Sequence, residues 1–171
     1  DVVRVTLGGN APLPSSKSKL TEAAKAGLGG VEVVDQMALA RGAPQRFDPA
    51  ALLLLDQIGK LKEGKITLTD NKVALAGMAR ELGGRAAIAA ALRNLPDGYS
   101  IAANDIRARP YVCQAYKDPG AVTLTLTGYV PDNDVHAALV AAAGRKFFSE
   151  KVVDNLKASI GAPSGFAAAV V

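Results

Sequence analysis

Apolar and polar residues alternate along Val3-Arg4-Val5-Thr6-Leu7 and along Leu124-Thr125-Leu126-Thr127, the period of a half-buried strand. A third apolar run is Val73-Ala74-Leu75-Ala76. The three runs reach Gly9, Gly128 and Gly77, where a glycine lets the chain leave the sheet. A helix of small apolar residues follows each, over 17–26, 133–144 and 82–95, and then a second strand over 32–39, 151–159 and 99–107. Asp132 or Asn133 is the expected N-cap of the 133–144 helix, because a short acceptor satisfies the open amides of a first turn.

Two of the three segments carry an extra strand in front. Lys65–Thr69 leads through Asp70-Asn71-Lys72 into Val73, and Tyr111–Lys117 leads through Asp118-Pro119-Gly120 into Val122, both with hairpin chemistry. The middle segment also has a helix before it. Asp48 is its expected N-cap and Pro49 its first residue, while Ala51, Leu52, Leu55, Ile58 and Leu61 form a broad apolar stripe. Four consecutive leucines, Leu52 to Leu55, exceed one stripe; burial between two sheets accounts for them better than a lipid-facing patch. The element order is α-β-β-α-β.

Self-comparison shows why the pattern recurs. Gly9 and Gly128 are 119 positions apart (128 − 9), and the same offset pairs Thr6 with Thr125, Leu7 with Leu126, Leu20 with Leu139 and Asp35 with Asp154. It continues without a gap through Gly42-Ala43-Pro44 and Gly161-Ala162-Pro163 to Phe47 and Phe166. A weaker copy lies between them, around Gly77. The expected division is 1–44, a partial unit without its first strand; 45–108, a complete unit; and 109–171, a unit followed by the start of the next helix. This looks like a cut from a longer array, in which missing neighbours would cover the sheet edges.

Composition changes this picture little. With 171 residues, 49% apolar and 21% charged, the chain is long enough and apolar enough to bury a core. The longest apolar stretch, Ala50 to Leu55, is too short to span a bilayer. The sequence begins without Met and without a basic-then-apolar leader, the expectation being a removed leader or an excised fragment. The net charge of +4 would favour anionic partners, but the basic residues are scattered. Lys60, Lys62, Lys65, Arg107 and Arg109 are the candidate anion contacts, and a solvated face is their simplest reading.

Few residues offer chemistry. Cys113 is the only cysteine, so no internal disulfide can form, and between Val112 and Gln114 it reads as a small core hydrophobe. His136 is the only histidine and has no second imidazole or thiol at ligand spacing. Asp35 and Asp154 recur at equivalent places and read as a repeated turn or cap, with no pocket calling for paired acids. Ser15, Ser16 and Ser149 have no histidine partner in a triad arrangement. Gly27-Leu28-Gly29-Gly30 contains the Gly-x-x-Gly clamp of some single-strand nucleic-acid binders, but it joins a helix to a strand and reads as a helix stop.

The strand reaching Gly128 and the closing Val152-Val153-Asp154 strand resemble the BON domain, named for bacterial osmotic-stress and nodulation proteins. The repeat with its Gly-Ala-Pro linkers, and the strand Pro110-Tyr111-Val112 to Lys117-Asp118, are similar to the N-terminal region of OmpA-family proteins of Gram-negative bacteria. Cys113 stands where that pattern has an aromatic residue. The resemblance implies an α/β (α+β) protein of tandem BON-like units, with helices packed on small mixed sheets. It further implies a periplasmic, outer-membrane-associated place in the cell envelope, phospholipid as a partner, no cofactor, no metal and no catalytic residues. Gly9, Gly77, Gly128, Asp35 and Asp154 are then the structural signature of the repeat. The expected function is a non-catalytic binding or spacer module. The alternatives are a single-stranded nucleic-acid-binding module, to which the sequence gives little support, and an assembly array self-associating through sheet edges.

Overall fold

The computed structural model describes residues 4–171, so the alternation expected at Val3 lies partly outside the described residues. The protein is α+β, with helices and small mixed sheets. Its elements are Arg4–Ala11 (β1), Pro14–Gly27 (α1), Glu32–Leu39 (β2), Phe47–Ile58 (α2), Leu61–Thr69 (β3), Lys72–Ala79 (β4), Gly84–Ala91 (α3) with a 3-10 turn at Leu92–Asn94, and Ser100–Arg107 (β5). Cys113–Lys117 (β6), Thr123–Val130 (β7), Asn133–Lys146 (α4), Lys151–Ala158 (β8) and Phe166–Val170 (α5) complete it.

The chain divides into two compact units: residues up to Arg80 together with Arg85–Arg107, and Glu81–Gly84 together with Ala108–Val171. The first holds a parallel pair, β1-β2, and a mixed sheet in which β4 pairs antiparallel with β3 and parallel with β5. The second holds one mixed sheet, with β7 antiparallel to β6 and parallel to β8. Each parallel pair is joined through a helix, as a parallel connection requires. The β1-β2 register runs from Arg4 opposite Glu32 to Ala11 opposite Leu39, and the β7-β8 register from Thr123 opposite Lys151 to Val130 opposite Ala158. Every pair in one is displaced by the same 119 positions (123 − 4, 151 − 32) in the other.

Strand alternation decides what enters each core. Leu124, Leu126 and Val130 of β7 are buried against Ala143 of α4 and Leu156 of β8, with Phe166 of α5 packed on them. In the first unit Ala11, Leu20, Ala24 and Met37 form the equivalent core, and α2 closes it with Leu55 while Phe47, Ala51 and Leu52 pack against it. The phenylalanine after each Gly-Ala-Pro linker thus docks on the strand-helix-strand before it. Leu54, one residue from Leu55, is buried as well. Leu52 and Leu53 are half-buried, so the run is largely taken into the fold.

Several expectations need correction. Gly9, Gly77 and Gly128 do not end their strands; each sits inside one, with φ of +95°, +155° and +107°. At Gly77 and Gly128 a side chain would strike the backbone carbonyl of Glu63 or Val112, so these glycines let the antiparallel neighbour approach. At Gly9 no described residue comes within 4 Å of that position. Asp48 is not the N-cap of α2. The docking of Phe47 starts the helix earlier, Arg46 caps it in the left-handed conformation, and the Asp48 carboxylate turns to Lys19 Nζ at 3.3 Å. Tyr111 lies outside β6: its hydroxyl donates to Ser159 O at 2.9 Å, and its ring packs edge-on to Phe166. Asp132 does cap α4, accepting from Val135 N at 2.8 Å.

Candidate functional site

The cap at Asp132 fixes the start of α4 and sets His136 in its first turns, over the parallel strand that follows. His136 Nε2 is 2.7 Å from Asp154 Oδ2 of β8. The other carboxylate oxygen, Oδ1, accepts from Leu156 N at 3.0 Å. Burial raises the Asp154 pKa, but the Leu156 N–H and His136 outweigh it and hold the carboxyl below its ordinary range. The pair lies in an open depression of about 500 Å³ lined by Asn133, His136, Ala137, Val140, Ala141 and Asp154.

The same construction stands 119 positions earlier. Asp35 Oδ1 accepts from Met37 N at 2.9 Å, and Asp35 Oδ2 receives Lys17 Nζ at 3.5 Å and Thr21 Oγ1 at 3.4 Å. The Met37 N–H is the main reason the Asp35 carboxyl titrates below its ordinary range. Lys17 is the positional counterpart of His136 (136 − 17 = 119). In the middle segment Asn104 Oδ1 accepts from Ile106 N at 3.3 Å. The residues whose N–H groups donate these bonds, Met37, Ile106 and Leu156, lie opposite Gly9, Gly77 and Gly128. Each is the one buried residue of its strand. The aspartates therefore read as a strand-internal turn that presents a single apolar side chain to the core. The equivalence of Lys17 and His136 was legible by carrying the 119-position offset through to them; Asn104 was not, since the offset of 68 between Gly9 and Gly77 takes Asp35 to Ala103.

The depression holds a histidine and a carboxylate engaged with each other. No hydroxyl or thiol lines it. Ser149 Oγ donates to Glu150 Oε2 at 3.0 Å, and the buried Ser16 hydroxyl helps to hold the Asp48 carboxyl below its ordinary range. Cys113 is half-buried against the second core, and that burial pushes its thiol up, away from the thiolate a nucleophile needs. Among the described residues no three His, Cys, Asp or Glu side chains gather as metal ligands.

The basic candidates are spread out. Lys60 Nζ contacts Asp56 Oδ2 at 3.3 Å and Gln57 Oε1 at 2.9 Å. Lys62 and Lys65 are exposed on β3 and Arg107 on β5. Across the sheet, Ala76 has Lys65 on one side and Asp105 on the other, and Met78 has Glu63 and Arg107. Opposite charges thus face each other over the central strand. Arg109 belongs to the other compact unit. Gly27 ends α1 and Gly30 precedes β2, as a helix stop requires.

No protein-family model, no curated protein and no solved structure matches the chain. Among the described residues no helix is long and apolar enough to cross a membrane.

Proposed function

We propose that this chain is a non-catalytic binding or spacer module of the bacterial cell envelope, built of tandem BON-like units as in the N-terminal region of OmpA-family proteins. The observation that carries the reading is the repetition of one scaffold at a fixed offset. The β1-β2 and β7-β8 registers, the Asp35 and Asp154 turns, and the docking of Phe47 and Phe166 all recur 119 positions apart. Repeated units conserve the features that hold a fold together and vary at their surfaces, which suits a module that spaces or presents contacts. The ionisable groups of the depression support the same reading, since they clasp helix to strand.

Contact with anionic phospholipid is a peripheral, electrostatic role, with Lys62, Lys65, Arg107 and Arg109 as the contacting cations and Lys60 partly engaged by Asp56. Co-sedimentation with phosphatidylglycerol vesicles, against phosphatidylcholine, tests it at low and high salt. Salt-sensitive binding to the anionic vesicles, reduced by Lys62→Glu with Lys65→Glu, is the expected result. Absence of binding at low salt overturns the lipid role and leaves the spacer role.

A further inference from the structure

We propose that the outer edge of β1 is an acceptor site for an extended polypeptide strand of the β6 type, running antiparallel to β1 over Val5–Gly9. The second unit supplies the template. There β6 pairs with β7 from Lys117 opposite Leu124 to Cys113 opposite Gly128. The positional counterparts of Leu124 and Gly128 in β1 are Val5 and Gly9, and among the described residues β1 pairs with β2 alone.

Three observations locate the site. Ala40 N donates to Ala11 O, so Ala11 faces β2; by strand alternation the amides and carbonyls of Thr6, Gly8 and Asn10 face the other way. In the second unit the counterpart of Asn10, Tyr129, fills this role by donating its N–H to Val112 O at 2.8 Å. Next, Val5 and Leu7 are only half-buried, whereas Leu124 and Leu126 are 4% and 2% exposed, and Val73 and Leu75 of β4 are 0% and 1% exposed. Finally, Gly9 keeps the positive φ that admits a neighbouring backbone at Gly128, yet among the described residues nothing lies within 4 Å of the position a Cβ would take.

The occupant follows from the same template. It is a strand of about five residues that supplies main-chain hydrogen bonds to Thr6, Gly8 and Asn10. A small apolar residue lies opposite Gly9, as Cys113 lies opposite Gly128 and packs on the core. The inference is independent of the lipid reading, since it concerns a sheet edge and no charged group.

Amide hydrogen exchange on the full isotope-labelled chain tests it, with a synthetic peptide of residues 111–117 carrying Cys113→Ser as the probe. Exchange at Thr6, Gly8 and Asn10 is expected to slow by about tenfold or more with millimolar peptide, while Leu7 and Gly9, already bonded to β2, do not change. Thr6→Pro removes an outward donor and should abolish the peptide's protection of Gly8 and Asn10 while Leu7 and Gly9 stay protected by β2. Unchanged exchange at the three amides overturns the proposal. So does protection of the same amides without peptide, whether the chain stays monomeric or its mass doubles with concentration; the doubling would assign the edge to a second copy.

Discussion

His136 Nε2 stands 2.7 Å from Asp154 Oδ2 and ties the start of α4 to the strand beside it. Lys17 and Asp35 make the corresponding tie between α1 and β2 at 3.5 Å. One position of the repeat thus accepts a lysine or a histidine, provided that the strand aspartate remains.

Substitution at this position should follow that rule. His136→Lys is expected to leave stability within about 0.5 kcal/mol of the parent, and His136→Ala to lower it by no more than about 1 kcal/mol, since both partners are partly solvated. Urea unfolding measures both. A larger loss in His136→Lys than in His136→Ala would refute the equivalence of the two positions.

The aspartates predict an acid limb to stability. Asp35 and Asp154 have lowered folded-state pKa values, so each stabilises the fold above its unfolded value and this contribution is lost as pH falls through the folded one. Melting temperature should therefore drop on acidification below about pH 4. Asp154→Asn keeps an acceptor for Leu156 N but no charge, and should flatten this drop. Asp154→Ala removes the turn bond too and should be less stable at every pH.

Glycine replacements separate two roles. Gly128→Ala places a side chain against Val112 O at a positive φ and should cost more than about 2 kcal/mol. Gly9→Ala meets the same backbone penalty without a neighbour, about 1 kcal/mol. Denaturant midpoints that rank the two the other way would contradict the open edge at β1.

Core truncation should show that α2 closes the first core. Leu55→Ala is expected to destabilise by about 2–4 kcal/mol, since Leu55 is buried with Leu20, Ala24 and Met37. Leu53 is half-buried, so Leu53→Ala should cost less, and calorimetry distinguishes them.

Cys113 should react slowly with a thiol reagent near neutral pH, because burial raises its pKa. The rate should rise with pH and on unfolding. Fast labelling of the folded chain at pH 7 would show an activated thiol.

Three strand-helix-strand segments, the strand bounds at Glu32–Leu39 and the recurrence of Asp35 and Asp154 were legible in the sequence. Periodicity and repeat offset are properties of neighbouring residues, and they survive folding. Other features depend on atoms brought from elsewhere in the chain. The purpose of Gly77 and Gly128 is set by the carbonyls of Glu63 and Val112, the start of α2 by the pocket that takes Phe47, and the role of His136 by a strand eighteen residues on. Scattered lysines gave no sign that Lys65 and Arg107 would each lie across a strand from an acid, because that arrangement exists only in the sheet register. The sequence alone determined which strands and helices the chain would build and in what order; only tertiary structure decided what each signature residue touches, since contact partners are chosen by packing and not by local pattern.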